Sequence, residues 1–199
     1  MSEPAKIAVF ISGGGTNLQS LINAAESGKV SGRIVLVISS REDAYGLERA
    51  RKAGIDTFVY IVKKYSSKDA AHKDLLEMLE QYDVEYIALA GYLKLLPAPL
   101  VKRYKSRITN IHPALLPKYG GTGMYGHRVH EAVLASGDKE SGATVHLVDE
   151  IYDHGRILLQ GKVPVKPDDT PDTLAARVLE VEHRIYPEAL ENLIKGKYN

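Results

Sequence analysis

No cysteine occurs among the 199 residues, which excludes a disulfide framework, a thiolate nucleophile and a thiolate metal site. Neither sign of charge is in excess. The 26 Lys and Arg stand against 25 Asp and Glu, so nothing global steers the chain to nucleic acid or to an anionic membrane. No apolar run approaches the roughly 18 residues of a membrane span. Met1 to Lys6 is short and polar, without the apolar centre of a signal peptide. These absences predict a cytoplasmic protein, monomer or homodimer, that acts on small molecules and binds neither nucleic acid nor membrane. There is no internal repeat, linker or low-complexity stretch either. With 44% hydrophobic and 26% charged residues, the chain 1–199 fits one domain around a single core.

What is present is an alternation of strand and helix signals. Lys6 to Ser12 is a short apolar run, followed by Gly13-Gly14-Gly15-Thr16-Asn17 and then by Leu18, Leu21, Ile22 and Ala25 at helical spacing, with Gly28 at the end. Ile34 to Ser39 is a second strand, a helix runs through Leu47 and Ala50 to Gly54, and Thr57 to Val62 is a third strand. Ala71, Leu75, Met78 and Leu79 mark a helix, and Glu85 to Gly91 a fourth strand. Such alternation implies right-handed crossovers and an α/β, Rossmann-like, mostly parallel sheet with helices on both faces. The rhythm then changes. Pro97 and Pro99 open a short helix through Tyr104, a strand starts at Ile108, and His130 to Ala135 is a short helix. Ala143 to Val148 and Ile157 to Val165 flank the turn Asp149 to Gly155 and add antiparallel strands. Thr170 caps a last helix with Pro171 in its first turn, and Pro187 is expected to kink or restart it.

Three stretches carry chemistry. In Asn110-Ile111-His112-Pro113 the carboxamide and the imidazole share one face of a strand, because side chains alternate with period two. Pro113 holds His112 extended, so a hydrogen-bond donor and a titratable ring stand side by side, fit to steady an oxyanion and move a proton. The glycine turn at 13–15 presents backbone N–H groups at the start of a helix, an anion-binding geometry. It lacks the lysine of a P-loop, and Leu18 stands where a dinucleotide fingerprint needs its third glycine, so a phosphate monoester fits better than ATP or NAD. The turn Asp149 to Gly155 supplies acids. One of them beside His112 would favour the imidazolium and raise its pKa.

His127 and His130 share a helical face, but with no cysteine and no His-Glu-x-x-His pattern a metal is not expected. His146 reads as either a core histidine or a functional one. His72 and His154 face solvent. Leu93 to Leu96 can be core or the apolar wall of a pocket. Gly120 to Gly126 reads as an exposed, mobile loop, and Leu116–Pro117 is a candidate cis bond.

Ser12 to Asn17, Asn110 to Pro113, Leu115-Leu116-Pro117 and Asp149-Glu150-x-x-Asp153-x-Gly155, in this order and spacing, resemble the phosphoribosylglycinamide formyltransferase family of folate-dependent enzymes, from about residue 6 to 195. The resemblance implies formyl transfer from 10-formyltetrahydrofolate to the amine of N1-(5-phosphoribosyl)glycinamide in purine synthesis. It implies a phosphate-binding half, about 1–105, and a catalytic and folate half, about 106–199. Asn110, His112 and Asp153 would be the catalytic set. Gly15, Thr16 and Asn17 would hold the 5′-phosphate, with Glu182 near the ribose. Lys68, Leu93, Lys94, Leu95, Leu96, Asn110, Asp149, Glu150, Ile151, Tyr152 and Asp153 would line the folate site, with His146 behind the catalytic groups. The Asn-x-His-Pro motif is shared with formyltetrahydrofolate hydrolases and aminoacyl-tRNA formyltransferases, and a non-catalytic nucleotide-sensing domain is a further alternative. One departure is that Tyr119 to His127 is longer and richer in glycine than the family pattern.

Overall fold

In the computed structural model, which describes residues 3–198, the first strand is β1 (Ala5–Ile11). Ile7, Val9 and Ile11 on one face and Ala8 and Phe10 on the other are all fully out of solvent. A strand apolar on both faces belongs in the middle of a covered sheet, and that is where it sits. The sheet also contains β2 (Gly32–Ser39), β3 (Asp56–Val59), β4 (Tyr86–Leu89), β5 (Ile108–His112), β6 (Glu140–Leu147) and β7 (Ile157–Pro164). Their order is β3-β2-β1-β4-β5-β6-β7. The pairs from β3 across to β5 are parallel, and β5–β6 and β6–β7 are antiparallel.

Each face has its own cover. On one side α1 (Thr16–Glu26), α2 (Tyr45–Lys52), α5 (His127–Ser136) and α6 (Pro171–Ile194) contribute Leu18, Leu21, Leu47, Val133, Val178 and Tyr186 to the core against Ile7, Val9 and Ile11. On the other, α3 (Lys68–Gln81) and α4 (Ala98–Arg103) bring Leu75, Leu79 and Leu100 against Ala8 and Phe10. The chain leaves β1 toward β2 and β3, then returns to β4 on the far side of β1. At such a reversal the loops leaving the carboxyl ends of the two strands diverge and open a crevice. Ser12 ties the rim together: its Oγ accepts from Leu93 N at 2.9 Å and lies 2.7 Å from Ser40 Oγ, joining the segments that follow β1, β4 and β2.

The α/β class, the helices on both faces and the antiparallel carboxyl-terminal strands agree with the sequence. Several boundaries differ. The third strand stops at Val59 instead of Val62, because its partner β2 ends at Ser39, and a 3-10 turn follows at Val62–Lys64. The helix at 130–135 starts earlier, at His127, behind the positive-φ Gly126. Pro187 neither restarts nor ends α6, which is continuous from Pro171 to Ile194. A proline there leaves the carbonyl of His183 without its usual helical donor. Ser20 of α1 supplies one instead, Oγ to His183 O at 2.9 Å. The Leu116–Pro117 bond is cis.

The turn that carries Asp153 closes on a glycine for a steric reason. A Cβ on Gly155 would lie 1.8 Å from the carbonyl oxygen of Leu147. Gly155→Ala is therefore expected to force the turn off β6 and cost on the order of 3 kcal/mol or more, read as a lower urea midpoint with an unchanged slope.

Candidate active site

The strand pairing builds the site. Asn110 and His112 share a face of β5, and the antiparallel register sets Asn110 opposite His146 and His112 opposite Thr144 on β6. Directly opposed residues lie on the same face, so the carboxamide meets the imidazole: Asn110 Nδ2 is 3.1 Å from His146 Nε2. The other ring nitrogen, Nδ1, is 2.8 Å from the carbonyl of Leu147. Because a carbonyl only accepts, Nδ1 carries the proton and Nε2 accepts from Asn110. His146 thus orients the carboxamide as a donor.

Asp153 reaches this group from the turn after β6. Its backbone is left-handed, with φ 53, a conformation that costs a non-glycine residue about 1 kcal/mol. Oδ2 accepts from Gly121 N at 2.9 Å and stands 3.5 Å from His112 Nδ1. Oδ1 accepts from Asn110 Nδ2 at 3.4 Å and stands 3.5 Å from His146 Nε2. Only 9% of the Asp153 side chain is exposed. Burial pushes its carboxyl up, but His146, His112 and the Gly121 N–H more than offset this and hold it below its ordinary value.

His112 differs from the sequence expectation in sign. The residue is 4% exposed, and burial lowers its pKa below the ordinary value even though Asp153 and the carbonyl of Tyr119 both act to raise it. Asp153 works in the expected direction, but desolvation is larger. The ring is held at both nitrogens, with Nε2 2.7 Å from Tyr119 O and Nδ1 toward Asp153.

These groups form part of the wall of a cleft of about 790 Å³, which Asn17 and Glu182 also line. That volume lies within the roughly 300–1,000 Å³ usual for small-molecule sites. Leu93, Lys94, Leu95, Leu96, Asp149, Ile151, Tyr152, His127 and His130 line it too. Leu93 and Leu95 are about half exposed, at 50% and 51%, and Ile151 is 61% exposed. Leu96 is core, at 6%. The wall and core readings of residues 93–96 thus each hold for part of the segment. His130 is buried with Nδ1 lacking a protein partner, and burial lowers its pKa to about 4. His127 is exposed, so the two histidines do not share one environment. Asp149 is engaged by the exposed His154 at 2.7 Å.

Two of the sequence-derived folate residues do not line the cleft: Lys68 is exposed at the first position of α3, and Glu150 points to solvent. Gly15 and Thr16 stand beside the cleft at the start of α1 and do not line it. Gly15 is left-handed, and a Cβ there would come 2.7 Å from Gly46 Cα. The helix start meets a residue that sequence spacing did not suggest: Arg49 of α2 donates Nε to Gly14 O at 2.9 Å, bringing positive charge to the glycine turn.

Glu182 on α6 is 6% exposed and accepts from Asn17 Nδ2 at 2.7 Å. Asn17 Oδ1 is buried without a protein partner. Burial pushes the Glu182 carboxyl up to about 6, against the pull of the Asn17 amide. A carboxyl whose folded pKa exceeds its unfolded value favours folding while protonated. That contribution is complete below about pH 4.5 and is lost as pH rises through about 6. Glu182→Gln is therefore expected to stabilise the fold above pH 6 by on the order of 1–2 kcal/mol, with no gain below pH 4.5, as measured by thermal unfolding at several pH values.

The family described as formyl transferase matches residues 5–190. A chloroplastic phosphoribosylglycinamide formyltransferase of Arabidopsis thaliana is 47% identical over 93% of this chain and 64% of its own length. The phosphoribosylglycinamide formyltransferase of Escherichia coli K12 is 40% identical over 96% of this chain and 88% of its own. The chain spans less than two thirds of the length of the plant relatives it matches. Among solved structures, glycinamide ribonucleotide transformylase 1 from Symbiobacterium toebii superposes with a TM-score of 0.91 at 42% identity, covering 98% of this chain and 90% of that one.

Proposed function

We propose, from the premise that this chain belongs to the formyl transferase family, that it moves the formyl group of 10-formyltetrahydrofolate to the amine of N1-(5-phosphoribosyl)glycinamide in purine synthesis. One observation carries the reading. The carboxamide of Asn110, the ring of His112 and the carboxylate of Asp153 converge on the wall of the cleft that Asn17 and Glu182 also line. In this reading Gly15, Thr16 and Asn17 hold the 5′-phosphate and Glu182 the ribose. The exposed apolar side chains of Leu93, Leu95 and Ile151 cover the folate ring system, with Tyr152 beside them. Lys68 and Glu150 stand outside the cleft lining, exposed to solvent, where only a part of the co-substrate that projects from the cleft could meet them. The amino-terminal half thus serves phosphate binding, the carboxyl-terminal half catalysis and folate. The cytoplasmic location and the monomeric or dimeric state expected from composition belong to the same proposal.

The co-substrate supplies a formyl carbon on a nitrogen leaving group. Asn110 has two N–H bonds, now directed at His146 and Asp153. Turning one to the formyl oxygen steadies the negative charge that grows there as the amine attacks, a contribution of about 3 kcal/mol. The chemistry then requires one proton to pass from the attacking amine to the departing folate nitrogen, as one C–N bond forms and the other breaks. His112, whose charged form burial disfavours at rest, is ready to take that proton, and Asp153 faces the nitrogen on which the charge appears. His146 holds Asn110 in place throughout.

A steady-state assay of formyl transfer to the glycinamide nucleotide, run beside transfer to water, tests the proposal. No turnover above background overturns it, and release of formate without transfer favours the hydrolase alternative. His112→Ala and Asp153→Asn are each expected to lower kcat at least about a hundredfold, and wild-type rates in either would show the assigned roles to be wrong. Sulfate soaked into crystals is expected at the Gly15–Asn17 turn, where N–H groups and Arg49 meet; density only at other places would dispose of the phosphate assignment.

A further inference from the structure

We propose that Tyr119 is a positioning residue that decides which nitrogen of His112 exchanges the proton. The carbonyl of Tyr119 lies 2.7 Å from His112 Nε2. A carbonyl has no proton to give, so in a neutral ring the hydrogen must sit on Nε2. Nδ1 is then a lone pair, 3.5 Å from Asp153 Oδ2. Two acceptors facing one another repel, and a proton arriving at Nδ1 turns that repulsion into a charge-assisted hydrogen bond. The contact at Tyr119 thus makes Nδ1 the nitrogen that takes and gives up the proton.

The carbonyl is fixed from the far end of the same residue. Tyr119 is left-handed, with φ 57, a conformation that L side chains seldom keep without support. Its phenol donates to Asp138 Oδ2 at 2.8 Å and lies 2.6 Å from Ser136 Oγ. Ser136 ends α5, and its single hydroxyl proton is shared between the phenol oxygen and Val133 O, 2.8 Å away, while Asp138 is held by Lys118 Nζ at 3.0 Å. The phenol is therefore clamped to the carboxyl-terminal end of α5, and the backbone between clamp and ring has little room to turn. The titratable groups around the His112 ring are Asp153 from the turn after β6, His146 from β6 and His130 from α5. None of them stands where the Tyr119 carbonyl does. Among the described residues, the acceptor placed at Nε2 is the Tyr119 carbonyl.

The tautomer is a property of the free chain, whereas its kinetic consequence rests on the formyl-transfer reading. The full chain labelled with ¹⁵N-histidine, with His112 assigned through His112→Asn, is followed by long-range ¹H–¹⁵N spectra across pH. Wild type is expected to show neutral His112 as the Nε2–H form alone. Tyr119→Phe and Asp138→Asn, which leave the carbonyl in place but loosen it, are expected to show a mixture of tautomers and a lower pKa for the ring. In the assay kcat is expected to fall roughly tenfold, the effect of about one anchoring hydrogen bond, with little change in KM. The acid limb of the kcat profile moves to lower pH in the same variants. An Nδ1–H tautomer in wild type, or a wild-type tautomer in both variants, overturns the inference whatever the rates do. Tautomer loss in the variants of a protein that transfers no formyl group would sink the functional reading and leave the clamp standing.

Discussion

A carboxylate nine-tenths out of water is stable only where its surroundings replace its hydration, and Asp153 sets the terms for everything near it. Its two oxygens are met by the backbone N–H of Gly121 and the amide of Asn110, with an imidazole beside each. Those partners come from β5, β6 and the loop after Pro117, so three separate segments must arrive together before the charge is tolerable. Removing any one leaves a buried anion short of a donor, which is more costly than removing an exposed one. The site is for this reason, besides the catalytic role proposed for it, a check on the assembly of the carboxyl-terminal half.

The sheet makes that meeting possible. Parallel strands β1, β4 and β5 deliver their carboxyl ends to one edge, and the reversal of order at β1 parts their loops into a cleft. Antiparallel β6 runs back past β5 and carries His146 to Asn110 before the chain turns to Asp153. Helix α6 crosses to α1, where Ser20 stands in for the donor that Pro187 lacks. The helix can therefore continue through the proline while Glu182, five residues earlier, stays buried against Asn17.

Much of this was legible in the sequence, and the gaps have physical causes. Period-two alternation put Asn110 and His112 on one face, and the apolar runs announced a covered parallel sheet. His146 stayed ambiguous because its partner depends on strand register, which no local pattern encodes. The sign of the His112 shift does not follow from a nearby acid, because it is decided by how deeply the ring is buried. Arg49 and Tyr119 were overlooked for a related reason: each acts through a backbone carbonyl, and such contacts leave no mark in residue type or spacing. Lys68 enters the folate set through the resemblance alone, and exposure at the first position of α3 neither requires nor forbids that role.

Thr144 insulates the site from the glycine-rich rim. From the middle of β6 its hydroxyl donates to Ala114 O at 2.6 Å and accepts from Leu116 N at 3.0 Å, and Gln160 Nε2 meets Leu116 O at 3.0 Å. The segment leaving His112 is thus pinned before the glycine-rich stretch begins, and Tyr119 and Gly121 are fastened just beyond. Residues added or lost between Thr122 and Gly126 fall outside those fasteners. A change of length there reaches the rim of the cleft before it reaches the spacing of the histidine and the carboxylate.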